Sequence, residues 1–105
     1  MSHTKVNYEE TESTYGMHFL RDELDCEDHG VTVVDADPGW QNPEHDHGDE
    51  DHEEVYVLVS GEATITVDGE DVPMEAGDAV RVSPGATREL TNGDTESQFV
   101  ITGAP

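Results

Sequence analysis

The chain has 105 residues, which by length is one domain with room for the modest core of a small barrel or sandwich. It carries 26 acidic residues against four basic ones, a formal net charge of −22; nucleic acid and anionic membrane are thereby excluded as partners, since both need basic patches. A single cysteine, Cys26, allows no internal disulfide, no apolar run approaches the roughly 20 residues of a membrane span, and no secretory pattern opens the chain. The sequence therefore predicts a cytoplasmic protein.

Val, Ile, Leu and Phe together make up only 20 of the 105 residues, a composition that by ordinary rules leans towards disorder. The acids are nonetheless spread along the chain, with strand patterns between them. That combination reads as a halophilic fold: at about 1 M salt the Debye length is only about 3 Å, and self-repulsion is weak.

Residues 1–30 predict an extension packed on the main domain. Within it, "GMHFLRDELD" fits either a strand, with Met17 and Phe19 sharing a face, or an amphipathic turn, with Met17, Leu20 and Leu24 together. Cys26, set among Asp25, Glu27 and Asp28, reads as a half-buried small residue, because neighbouring negative charge works against a reactive thiolate. His3, His18 and His29 lack partners at ligand spacing and read as surface or loop groups.

Residues 31–105 read as short strands separated by turns, the pattern of an all-β barrel or sandwich. "VTVVDA" is a β-branched run closed by "DPG". The stretch "PEHDHGDEDHEE" places three histidines among acids, and "VYVLV" follows as a continuously apolar run whose two faces are both predicted buried. In "EATITVDGE" the residues Ala63, Ile65 and Val67 share one face, and Asp68-Gly69 signals a type I′ hairpin. Pro73 marks the next strand as an edge or strand start. "AVRV", "TREL" and "SQFVIT" complete the set, separated by "SPGA" and "TNGD" turns.

Two motifs lie across this region. The first is Gly39, five residues, His45, Asp46, His47, six residues, Glu54, six residues, Gly61; the second is Gly77, five residues, Ser83, then Gly85, Arg88 and Asn92. In this order and spacing the chain resembles a small single-domain cupin. It departs from the family pattern in having six residues rather than three or four between His47 and Glu54. Ser83 stands where the pattern has proline, and Arg88 where it has histidine. The resemblance implies a jelly-roll β-barrel holding a divalent metal, and commonly a homodimer. Activities in the family run from dioxygenases and isomerases to non-enzymatic binding, so it fixes the fold better than the function.

Strand parity suits that expectation. His45 and His47 point to one face about 6–7 Å apart, and Glu54 shares a face with Tyr56 and Leu58 on the next strand. Two histidines and a carboxylate with open positions suit Fe²⁺, Mn²⁺, Zn²⁺, Ni²⁺ or Cu²⁺. His52, two residues before Glu54, is either a further ligand or a solvated loop group. Arg88 is a permanent cation that cannot ligate a metal. An ion about 6 Å from it would be repelled by about 5 kcal/mol at an effective dielectric near 20. Three arrangements are open: Arg88 turns outward, turns inward to pair with Glu54 in a metal-free barrel, or faces the open side of a metal to hold an anion. Tyr56 and Trp40 either line a ligand pocket or belong to the core. The leading expectation is one divalent ion on His45, His47 and Glu54, with a dioxygenase- or isomerase-like activity in the enzymatic case. The alternatives are a metal-free cupin binding a small anion through Arg88, or a non-catalytic scaffold.

Overall fold

A computed structural model describes residues 2–45 and 52–105, leaving aside the side chains of 43–45. Among the described residues the strands are β1 (Met17–Phe19), β2 (Gly30–Ala36), β3 (Gln41–His45), β4 (Glu53–Ser60) and β5 (Glu62–Val67), followed by β6 (Glu70–Glu75), β7 (Ala79–Val82), β8 (Arg88–Asn92) and β9 (Ser97–Ala104). They form two antiparallel sheets, ordered β1-β2-β9-β4-β7 and β3-β8-β5-β6, the jelly-roll arrangement expected from the sequence.

The alternating patterns decide what lies between the sheets. Ala63 and Ile65 of β5 turn inward against Leu90 of β8 and Met74 of β6, facing Val34, Leu58, Val82 and Phe99 of the other sheet. Asp68 and Gly69 both have positive φ, as the predicted I′ hairpin between β5 and β6 requires. Pro73 lies on β6, an edge strand, where the hydrogen bond it cannot donate is not needed.

"VYVLV" behaves differently from expectation. Tyr56 and Leu58 are buried, but Val55 and Val57 are only half-buried and Val59 is 48% exposed. One face of β4 is core; the other lies on the outside of the five-stranded sheet. The valines there satisfy strand propensity without full burial.

The N-terminal segment combines both readings offered for it. Met17–Phe19 pairs with β2, and the chain then turns, with Leu24 N–H donating to the Leu20 carbonyl. Leu20 is buried while Phe19 is exposed, and Cys26 is half-buried as expected. His18 corrects the surface reading. It is 9% exposed, its Nδ1 lies 3.0 Å from Thr11 Oγ1, and Tyr8 packs edge-on against its ring. Because the Thr11 hydroxyl donates to the Tyr8 carbonyl, His18 Nδ1 must carry the proton it shares with Thr11. Tyr8 also accepts from Gln98 of β9, so this cluster fastens the segment to the sheet.

Candidate functional site

Strand pairing brings two motif residues, Glu54 and Arg88, to one end of the barrel from opposite sheets. Glu54 near the start of β4 is opposite Gly103 of β9, which is opposite Gly30 at the start of β2. From the other sheet, Arg88 opens β8, paired with Val67 of β5 and, along the backbone, with His45 of β3. His45's side chain and the whole of His47 lie outside the described residues, so the sequence expectation for those two imidazoles is not addressed further.

Arg88 takes the inward arrangement. It is 1% exposed and its Nη1 donates to Glu54 Oε1 at 2.6 Å, a salt bridge across the two sheets. The "SPGA" turn wraps the rest of the guanidinium: Nη2 donates to the Ser83 and Ala86 carbonyls at 3.0 and 2.8 Å, and Nε to Ala86 at 3.0 Å. Four of the side chain's five N–H donors are thus engaged. The turn that the motif describes serves here as a socket for a cation.

Tyr56, one strand repeat from Glu54, donates its hydroxyl to the same carboxylate oxygen at 2.9 Å. It is 1% exposed. Burial first, and then the Glu54 charge, push its phenol well above its ordinary value near 10, so it stays a neutral donor. Glu54 Oε1 therefore receives two donors, one ionic and one neutral. Its Oε2 lies towards Gly103, where an added Cβ would stand 3.7 Å from it.

His52 and Glu54 line a cavity of about 110 Å³ at this mouth, together with Gly30 and Thr32 of β2, Ile101, Thr102 and Gly103 of β9, and Arg21 and Asp28 from the segment before β2. His52, in the loop just before β4, is half-buried there rather than fully solvated. Trp40 is elsewhere. It is 6% exposed at the Asn92 end of β8, donating to the Tyr15 carbonyl at 2.8 Å, stacked on Tyr15 and tilted against Phe99. That is a core position, away from the mouth. Asn92, the last motif residue, is structural as well: its amide donates to the Asp37 and Thr95 carbonyls and ties two loops together.

Sequence reasoning missed Arg21, Asp28, Thr32 and Gly103 as mouth residues. Nothing local marks them; the pairing of β2 with β9, and the return of the chain over that pair, bring them together.

The residues described fit a divalent ion poorly. The fourth-ligand position holds a buried guanidinium, and that cation already occupies one oxygen of Glu54, the carboxylate ligand that the motif offers. An ion on the other oxygen would lie about 5–6 Å from the guanidinium, with a repulsion of about 5–7 kcal/mol at an effective dielectric near 20.

Comparison with known proteins agrees with the fold. The family described as "Cupin domain" matches residues 32–102, and the chain belongs to the cupin family. Its structure is similar to that of a cupin protein from Bacteroides fragilis, with a TM-score of 0.85 and 24% identity, covering 99% of this chain and 85% of that one. It is also similar to a predicted oxalate decarboxylase from Thermotoga maritima, with a TM-score of 0.73 and 25% identity over 84% of this chain and 77% of that one. A sugar phosphate isomerase from Silicibacter pomeroyi gives a TM-score of 0.78 and 20% identity over 97% and 76%. None of the curated proteins matches the chain. No helix among the described residues is long and apolar enough to cross a membrane.

Proposed function

We propose that this chain is a ligand-binding cupin that uses its barrel mouth without a metal ion, the Glu54–Arg88 pair taking the ion's place between the sheets. The observation that carries the reading is the 2.6 Å bridge from a guanidinium that is 1% exposed. A permanent cation performs the structural part of a metal's task, joining the two sheets through a carboxylate, while offering no Lewis acidity and no vacant coordination position. What remains for chemistry is a small polar chamber with a fixed carboxylate at its base. Glu54 can accept a proton or a hydrogen bond from a ligand hydroxyl, oriented by the Arg88 and Tyr56 donors on its other oxygen.

A second reading has one observation in its favour. Holding Oε1 by two donors is also how a monodentate carboxylate ligand is braced, so an ion could sit on Oε2 with His45 and His47. Elemental analysis of protein purified in high salt separates the two. Under the proposal the wild type carries no stoichiometric transition metal, and Arg88→His, which restores the family's imidazole, acquires one. Stoichiometric metal in the wild type that disappears in His45→Ala/His47→Ala, with the fold intact, overturns it in favour of the second reading.

A further inference from the structure

The anion-binding role that the sequence offers to Arg88 fails on geometry, since that guanidinium is enclosed and four of its donors are taken by the protein itself. A second arginine meets the requirement. Arg21 lies outside the stretch that matches the family, in the turn between β1 and β2, and lines the mouth cavity beside Thr32, Glu54 and Gly103. It is exposed, and one nitrogen, Nη2, donates to the Glu27 carbonyl. Nε and Nη1 have no partner among the described residues. That one bond fixes the edge of the planar group and leaves the other edge for a ligand.

We propose that Arg21 is the anion-recognising residue of the mouth, and that the ligand is a small monocarboxylic acid carrying a hydroxyl group. This rests on the mouth being the binding site. Arg21 takes the carboxylate through its open edge, and the hydroxyl turns inward to Thr32 Oγ1 and Glu54. Charge selects a single negative group. Among the described lining residues Arg21 is the one Lys or Arg, beside Asp28 and a Glu54 already bridged to Arg88, so a single carboxylate meets one permanent cation while the second charge of a phosphate dianion meets none. Size selects a small one. Gly30 and Gly103 face each other across β2 and β9, and with about 110 Å³ the cavity admits an acid of three or four carbons but no sugar ring. The strands that the family model matches thus supply the floor, and a residue from the segment before that match supplies the specificity.

The test is calorimetric titration in high salt with L-lactate, D-glycerate, propionate, L-lactamide and inorganic phosphate. Lactate or glycerate is expected to bind, propionate more weakly, and lactamide and phosphate not at all. Arg21→Gln is expected to weaken lactate binding by about tenfold or more, with Arg21→Lys intermediate. Gly30→Val, whose Cβ meets only the Gly103 carbonyl at an ordinary 3.5 Å, fills the mouth and abolishes binding with circular dichroism unchanged. A probe lost in Gly30→Val but unaffected in Arg21→Gln overturns the role of Arg21 and leaves the mouth as the site. Binding that survives Gly30→Val overturns the mouth itself. Failure of every acid to bind the wild type overturns the assigned ligand class.

Discussion

Substituting Arg88 by methionine removes the cation while keeping an unbranched side chain of similar reach. The Glu54 carboxylate, 17% exposed at the side chain, then keeps the Tyr56 hydroxyl but loses its counter-charge, and the Ser83 and Ala86 carbonyls lose their guanidinium donors. Breaking a buried pair from one side costs about 3–5 kcal/mol, because it leaves the other charge uncompensated. Set against about 5–15 kcal/mol for a whole domain, this is a large share of the stability. Glu54→Leu is expected to cost about as much, since it strands a guanidinium that is only 1% exposed. The double variant removes both charges and needs neither partner. It should therefore be far more stable than the sum of the single losses, with a coupling energy of about 3 kcal/mol. The orphaned carbonyls are common to Arg88→Met and the double variant, so they cancel in the cycle. Urea unfolding followed by fluorescence of the single tryptophan, the buried Trp40, in about 2 M KCl measures all four proteins at one ionic strength. Additivity within about 0.5 kcal/mol would show that the bridge does not hold the sheets together and would remove the structural argument against the metal.

Tyr56 predicts an alkaline effect. Its phenol is raised in the folded state above its ordinary value near 10, so above that pH the folded protein holds a proton that the unfolded chain releases. The stability it contributes is complete below pH 10 and falls as pH rises further; Tyr56→Phe should flatten that decline, and an unchanged slope between wild type and variant would contradict it. The net charge of −22 predicts loss of structure on dialysis into dilute buffer, read by circular dichroism, with recovery on adding KCl. An unchanged spectrum in dilute buffer counts against salt adaptation. Two motif glycines should differ in tolerance. Gly61 has φ +93°, and a Cβ there would fall 2.7 Å from the Glu96 carbonyl, whereas Gly39, at φ +78°, faces open space. Gly61→Ala should cost more than about 3 kcal/mol, strain and clash together, and Gly39→Ala only about 1–2 kcal/mol from its backbone alone; equal losses in thermal unfolding would contradict this.

Where the sequence was legible, a local period decided the outcome. Ala63, Ile65 and Glu54-Tyr56-Leu58 fall on the inner faces because side chains alternate along a strand, and Asp68-Gly69 turns because the I′ hairpin demands positive φ. The misreadings come from what alternation does not carry. Whether Val55, Val57 and Val59 are covered depends on what packs outside the sheet, and His18 is buried only because Tyr8 and Thr11 return over it. Arg88 belongs to neither group. The sequence left its direction open, because a long cation at the end of a barrel can as easily turn to water as inward. What holds it inside is a set of carbonyls from Ser83 and Ala86 together with a carboxylate 34 residues away on the other sheet. The glutamate is therefore the same residue in either reading of the site, and its partner decides its role. Facing an imidazole, it would be a ligand in search of an ion; facing Arg88, it is one half of a bridge, and under the proposal recognition passes to the cavity that Glu54 and Arg21 line together.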